Sequence, residues 1–140
     1  TKMRRLLPLH IIIYCVFLFS CKCLAQSKEN NIIYGFCYSI NMNDSTVYLS
    51  SIQQIPDAEL QKGTGFLIGR DIYSSQFKYF LESRFAGKET STVFFDTNKE
   101  SIEKTYIKVR RLQKRKENST LIEIPQEEFT LQTINKNMEK

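Results

Sequence analysis

Between residues 91 and 125 the chain reads STVFFDTNKESIEKTYIKVRRLQKRKENSTLIEIP: a short β-prone run, an amphipathic helix and a second β-prone run. No other stretch constrains the fold as strongly. Residues 92–96 are β-branched and aromatic. Thr97-Asn98-Lys99-Glu100 fits a capping box in which Thr97 accepts from the Glu100 amide while Glu100 reaches back. Ile102, Tyr106 and Val109 then recur at i, i+4 and i+7, with Leu112 close to the same stripe. One face of this helix is therefore apolar and the other densely charged, and the apolar face needs a sheet to cover. Asn118-Ser119 breaks the helical pattern, residues 120–124 are β-prone again, and Pro125 ends the run. The geometry this predicts is a crossover joining two parallel strands.

The N-terminal segment bears on compartment. Arg4 and Arg5 precede an apolar stretch at 11–19, and Cys23-Leu24-Ala25 offers small residues where a signal peptidase reads. The expectation is a secretory signal peptide over 1–25, cleaved before Gln26, with a polar leader at 26–31, one domain over 32–134 and a polar tail at 135–140. Leu18-Phe19-Ser20-Cys21 resembles a bacterial lipobox, and that resemblance implies lipidation at Cys21 as the other processing route. Without residues 1–25 the chain keeps sixteen basic and fifteen acidic residues, a net charge of +1. Much of the full-chain charge of +5 thus belongs to the export signal, and a nucleic-acid partner is not expected. The same removal takes away His10, Cys15, Cys21 and Cys23, leaving Cys37 alone. A histidine-based triad, a Cys/His zinc site and an intramolecular disulfide are then out of reach, and no catalytic set, metal or cofactor is expected. Cys37 itself reads as a small buried hydrophobe.

Earlier in the domain, residues 32–40 are rich in β formers, with Tyr34, Phe36, Tyr38 and Ile40 on one face and Ile33, Gly35, Cys37 and Ser39 on the other. Turn chemistry at 41–45 and a second strand at 46–51 predict an antiparallel hairpin. Residues 53–70 hold Pro56 and three glycines and read as an irregular loop. Gly63-Thr64-Gly65-Phe66-Leu67-Ile68-Gly69 has neither dinucleotide-fingerprint spacing nor a P-loop lysine, so turn formation with apolar residues tucked beneath it is expected. Residues 72–86 form the first helix, with Tyr73, Phe77, Phe80, Leu81 and Phe85 near one stripe and Gly87 as a left-handed cap. After Pro125 one helical turn is expected, with Phe129 and Leu131 along the sheet. The fold class is α+β: a two-layer α/β sandwich in the order β-β-α-β-α-β, with a mixed sheet and both helices on one face.

Four features are candidates for function. Lys108, Arg110, Arg111, Lys114, Arg115 and Lys116 form a cationic cluster able to contact an anionic polymer or lipid, although cations also suit a helix C-terminus. Tyr34, Phe36 and Tyr38 form an aromatic sheet face that stacks on sugars or peptides if left uncovered and is core if the helices cover it. Asp57, Glu59, Asp71 and Asp96 are carboxylates from which a glycan-cleaving pair would have to come, with no spacing that marks a pair. Asp44-Ser45-Thr46 is a turn.

The junction Cys23-Leu24-Ala25-Gln26 resembles export signals of Bacteroidota. Tyr38-Ser39-Ile40-Asn41, Val47-Tyr48-Leu49-Ser50-Ser51, Thr64-Gly65-Phe66 with Gly69-Arg70, and residues 77–82 are similar to small exported proteins of that group without an assigned activity. That resemblance implies O-glycosylation at Ser45. The strand, helix, strand half also resembles half of a SPOR-type peptidoglycan-binding domain, whose βαββαβ order differs from the hairpin start here. The function expected is a non-catalytic, exported envelope protein that contacts an envelope polymer or another envelope protein, and meets the membrane only through the signal peptide or a lipid anchor at Cys21. The alternative is a small histidine-free hydrolase acting on glycans.

Overall fold

The computed structural model describes residues 31–134, which lie in one compact unit, Asn31–Lys140. The expected signal peptide at 1–25, the leader up to residue 30, Cys21 and the tail at 135–140 lie outside the described residues. Among the described residues five strands and two helices follow in order: β1 (Tyr34–Asn41), β2 (Val47–Ser50), β3 (Gln53–Gln54), α1 (Arg70–Arg84), β4 (Glu89–Asp96), α2 (Lys99–Lys114) and β5 (Leu121–Ile124). β3, at the start of the stretch expected to be an irregular loop, is added to the expected order because it pairs with the first residues of β1.

The chain is α+β with a mixed sheet built on β1. β4 pairs antiparallel with the whole length of β1, from Tyr34 opposite Asp96 to Asn41 opposite Glu89. β2 and β3 divide the other edge: Tyr38 faces Leu49, while Tyr34 faces Gln54. The register slips by one residue between these two pairings, a bulge at which the Cys37 amide donates to the Ser50 hydroxyl, 2.7 Å away, instead of to a carbonyl. β5 joins β2 in parallel, Val47 opposite Leu121. Since β3 and β4 both run against β1, and β5 runs with β2, the strands β3, β4 and β5 are mutually parallel. The predicted parallel crossover from β4 to β5 is present, and it passes over β1 and β2.

The helices, expected on one face, flank the sheet on both, so the sheet is the middle layer. Tyr73, Phe77 and Leu81 of α1 pack with Cys37, Val93 and Ile124, whereas Ile102, Tyr106 and Val109 of α2 pack with Phe36, Leu49 and Phe94. Neighbouring strand residues point to opposite faces, so Phe36 and Cys37 mark the two sides. The reason is topological. The connection through α1 runs from β3 past β1 to β4, and the connection through α2 runs back from β4 to β5. Two crossovers of one hand that travel opposite ways must lie on opposite faces. The face of Gly35, Cys37 and Ser39, left for solvent or a partner when both helices are placed together, is in fact covered by α1. Cys37 and Ser39 are fully buried.

Local chemistry sets the element ends. The α2 cap is Asn98, not Thr97: its Oδ1 accepts from the Ser101 amide at 3.0 Å, and Glu100 pairs with Lys104 along the helix. α1 ends at Phe85 in extended backbone, with the Phe85 amide donating to the Leu81 carbonyl at 2.7 Å. Gly87 is not a left-handed cap; at φ 149° it lies against the Asn41 side chain, where a Cβ would collide. In the loop after β3, Leu67 is buried as expected while Phe66 is exposed. One turn follows Pro125. Phe129 then packs against Phe77 and Phe80 at ring separations of 4.9 and 5.1 Å, and the Leu131 amide donates to the buried Gln53 side chain at 2.7 Å.

Candidate functional site

Among the described residues β4 has one sheet neighbour, β1, and no strand pairs with its other edge. In an antiparallel pair, alternate residues turn both backbone groups away from the partner. On β4 the outward set is Glu89, Ser91, Val93 and Phe95. The Glu89 amide donates to the Glu82 carboxylate at 3.3 Å, and the Val93 carbonyl accepts from Arg70 Nε at 3.1 Å. Ser91, between them, turns its N–H and C=O into an open cleft of about 790 Å³ whose opposite wall is the first half of α1. That wall supplies Arg70, Asp71, Ser74, Ser75 and Lys78. Arg70 also donates to the Thr92 hydroxyl at 3.2 Å and lies over the Phe95 ring. Neither Arg70 nor Lys78 has a carboxylate partner among the described residues.

Behind Ser91 lies a polar cluster that no sequence motif announces. The buried Glu89 carboxylate accepts from the Ser39 hydroxyl at 2.9 Å and from the Asn41 amide at 3.0 Å, and the Ser91 hydroxyl donates to Ser39 at 2.8 Å. The β1–β4 register makes it, by placing Ser39 opposite Ser91 and Asn41 opposite Glu89. A buried carboxylate without a cation is tolerable only when such donors satisfy it. The alternation of β4 alone carries the signal: Glu89 and Ser91 share the face of the buried Val93.

The cationic cluster divides. Arg110 is half-buried and ion-paired with Glu123 of β5 at 2.9 Å, and the Tyr106 hydroxyl donates to the same carboxylate oxygen, also at 2.9 Å. Burial, together with that hydrogen bond, pushes the Tyr106 phenol up to about 12. Lys108, Arg111, Lys114, Arg115 and Lys116 stay exposed, with no ion pair among the described residues. Leu112, expected on the buried stripe, faces outward, and Gln113 takes the inner position and donates to the Tyr38 hydroxyl at 3.3 Å. At about 100° per residue, position 113 returns to within about 20° of Ile102, whereas 112 lies about 80° away.

The aromatic face is core. Phe36 is fully buried, stacked on Phe94 at 5.0 Å and edge-on to Tyr106 at 5.0 Å, and Tyr34 and Tyr38 are half-buried in the same cluster under α2. A sugar-stacking platform of Tyr34, Phe36 and Tyr38 is therefore ruled out. Cys37 is buried as well, and desolvation pushes its thiol up to about 12 despite the Ser50 hydroxyl. Ser45 stands exposed at a turn with φ 60°, next to Asp44, whose carboxylate accepts from the Thr46 amide at 2.9 Å and is lowered by that bond. Asp71 lines the cleft, Asp57 accepts from the Thr133 hydroxyl at 3.2 Å and does not line it, and Asp96 at the end of β4 accepts at its Oδ1 from the amide of the cap residue Asn98 at 2.8 Å. Among the described residues no group of three His, Cys, Asp or Glu side chains is placed to hold a metal ion.

No protein-family model, no curated protein and no solved structure matches the chain.

Proposed function

We propose that the chain is an exported, non-catalytic binding module of the cell envelope, and that its partner is an extended protein segment received along the free edge of β4. The observation that carries this reading is the position of that edge inside the cleft. Ser91 presents a donor and an acceptor to an incoming strand, and Ser74, Ser75 and Lys78 stand opposite to meet its side chains. Arg70 and Lys78, which have no carboxylate partner among the described residues, favour a segment with acidic side chains. Hydrolysis of glycans by paired carboxylates needs two carboxyls across a cleft, and the residues lining this one include a single acid, Asp71. Export rests on the N-terminal pattern of Arg4, Arg5 and the apolar stretch at 11–19.

The test is to pan residues 31–140 against a displayed library of peptides and to follow amide exchange in β4 with a recovered sequence. Slowed exchange at Ser91, and loss of binding in Ser91→Pro but not in Ser91→Ala, are the expected results, because both variants lose the hydroxyl bond to Ser39 and only proline removes the outward N–H. Peptides that bind Ser91→Pro equally well, or a library that returns none, would overturn the edge as the partner site.

A further inference from the structure

We infer that the outward face of α2 docks this domain onto an anionic lipid surface, a property independent of the β4 cleft. From Lys104 to Lys116 the chain carries seven basic residues and no acidic one. The rest of 26–140 carries nine basic against fifteen acidic residues, so this nearly neutral segment has its positive charge gathered on α2 and the two residues after it. Lys108, Arg111 and Arg115 recur at i, i+3 and i+7 and form a stripe about 10 Å long, directed away from the inward-facing Ile102, Tyr106 and Gln113. Such a charge distribution turns the molecule with α2 toward an anionic surface before contact.

Two further side chains select the kind of surface. Ile107 is 52% exposed and Leu112 is 49% exposed, one on each side of the cationic stripe. An aliphatic pair set among cations adds nothing to the binding of a hydrated polyanion. On a bilayer it enters the interfacial region while the cations meet the headgroups. Stacking on nucleic-acid bases or sugar rings would need an exposed aromatic here, and Tyr106, the aromatic residue of α2, faces inward against Phe36. Because α1 lies across the sheet, a domain seated on α2 keeps α1 on the far side from the lipid.

The experiment is co-sedimentation of residues 31–140 with mixed phosphatidylglycerol–phosphatidylcholine vesicles and with pure phosphatidylcholine vesicles. This segment has its core residues within 33–134, and it omits the apolar stretch at 11–19, which would enter vesicles by itself. Binding to the anionic vesicles only is expected. Each cation near such a surface is worth roughly a fivefold change in partitioning, so Lys108→Gln, Arg111→Gln and Arg115→Gln together are expected to weaken binding on the order of a hundredfold. Ile107→Ser with Leu112→Ser is expected to weaken it about tenfold while leaving far-UV circular dichroism unchanged. Absence of binding to anionic vesicles overturns the inference, as does binding that survives the triple charge change. Binding that is indifferent to the Ile107 and Leu112 changes and is matched by soluble polyphosphate would also overturn it, replacing the membrane by a polyanion.

Discussion

Cys37, Gly35 and Asp96 show how single residues of the strands meet constraints set by their neighbours. A thiol raised to about 12 is ionised to about one part in ten thousand at pH 8, and its side chain has no solvent path. Cys37 is therefore expected to resist a thiol reagent in the native protein and to react at once in denaturant; rapid native labelling would show that the β1–β2 bulge opens. At Gly35 an added Cβ would stand 2.6 Å from the Phe94 carbonyl oxygen and 2.7 Å from Ile55, so Gly35→Ala must push β1 away from β4 or displace the loop after β3. A loss of about 2 kcal/mol in urea unfolding is expected. The Asp96 carboxylate is held below its usual 3.8 by the Asn98 amide and then by the Ser101 hydroxyl at 2.7 Å. A carboxyl lowered on folding stabilises the fold above its unfolded value, and that contribution is lost as the pH falls through the folded value. Urea midpoints are thus expected to decline below about pH 4, and Asp96→Asn is expected to flatten that decline.

At the scale of elements, α2 carries an internal conflict between its two faces. The inner face closes the Phe36, Leu49 and Phe94 cluster with Ile102, Tyr106 and Val109, then ends on Gln113, whose Oε1 is buried without a partner among the described residues. A buried acceptor left unpaired costs more than the weak bond to Tyr38 returns. Gln113→Leu is accordingly expected to raise stability by about 1 kcal/mol in chemical denaturation, with the half-exposed Tyr38 hydroxyl turning to water; a loss of stability would mean that an ordered water satisfies the amide. The sequence pattern misassigned this position because it follows hydropathy. Leu112 is the apolar residue, but helix geometry brings 113 back over Ile102. The same reasoning explains the α2 cap. Thr97 and Asn98 both suit the position chemically, and the path of the chain out of β4, with Asp96 holding the Asn98 amide, decides for Asn98. α1 needed no such decision, since Tyr73, Phe77 and Leu81 are aromatic or aliphatic at matching intervals and all three are buried as expected.

For the molecule as a whole, β1 is the strand on which every other part depends, because it pairs with β2, β3 and β4 and is covered by a helix on each face. Residues 31–140 are expected to unfold in one cooperative transition, with the amides of Phe36 and Ser39 exchanging only through global opening and those of the loop at 61–66 exchanging fastest. A separate early transition of α2 would instead mark its cluster as an independent unit. The amino-acid sequence by itself determined the α+β class, the two helices, the hairpin and the parallel crossover. These follow from hydropathy period and turn chemistry within a few neighbouring residues. It also placed Cys37 and the α1 stripe in the core. Only the tertiary structure decided that the helices lie on opposite faces, because that depends on which edge of β1 each connection reaches. The free edge of β4, the Ser39, Asn41 and Glu89 cluster and the pairing of Arg110 with Glu123 likewise join residues at least 13 positions apart, whose meeting is set by strand order and register and by no local pattern.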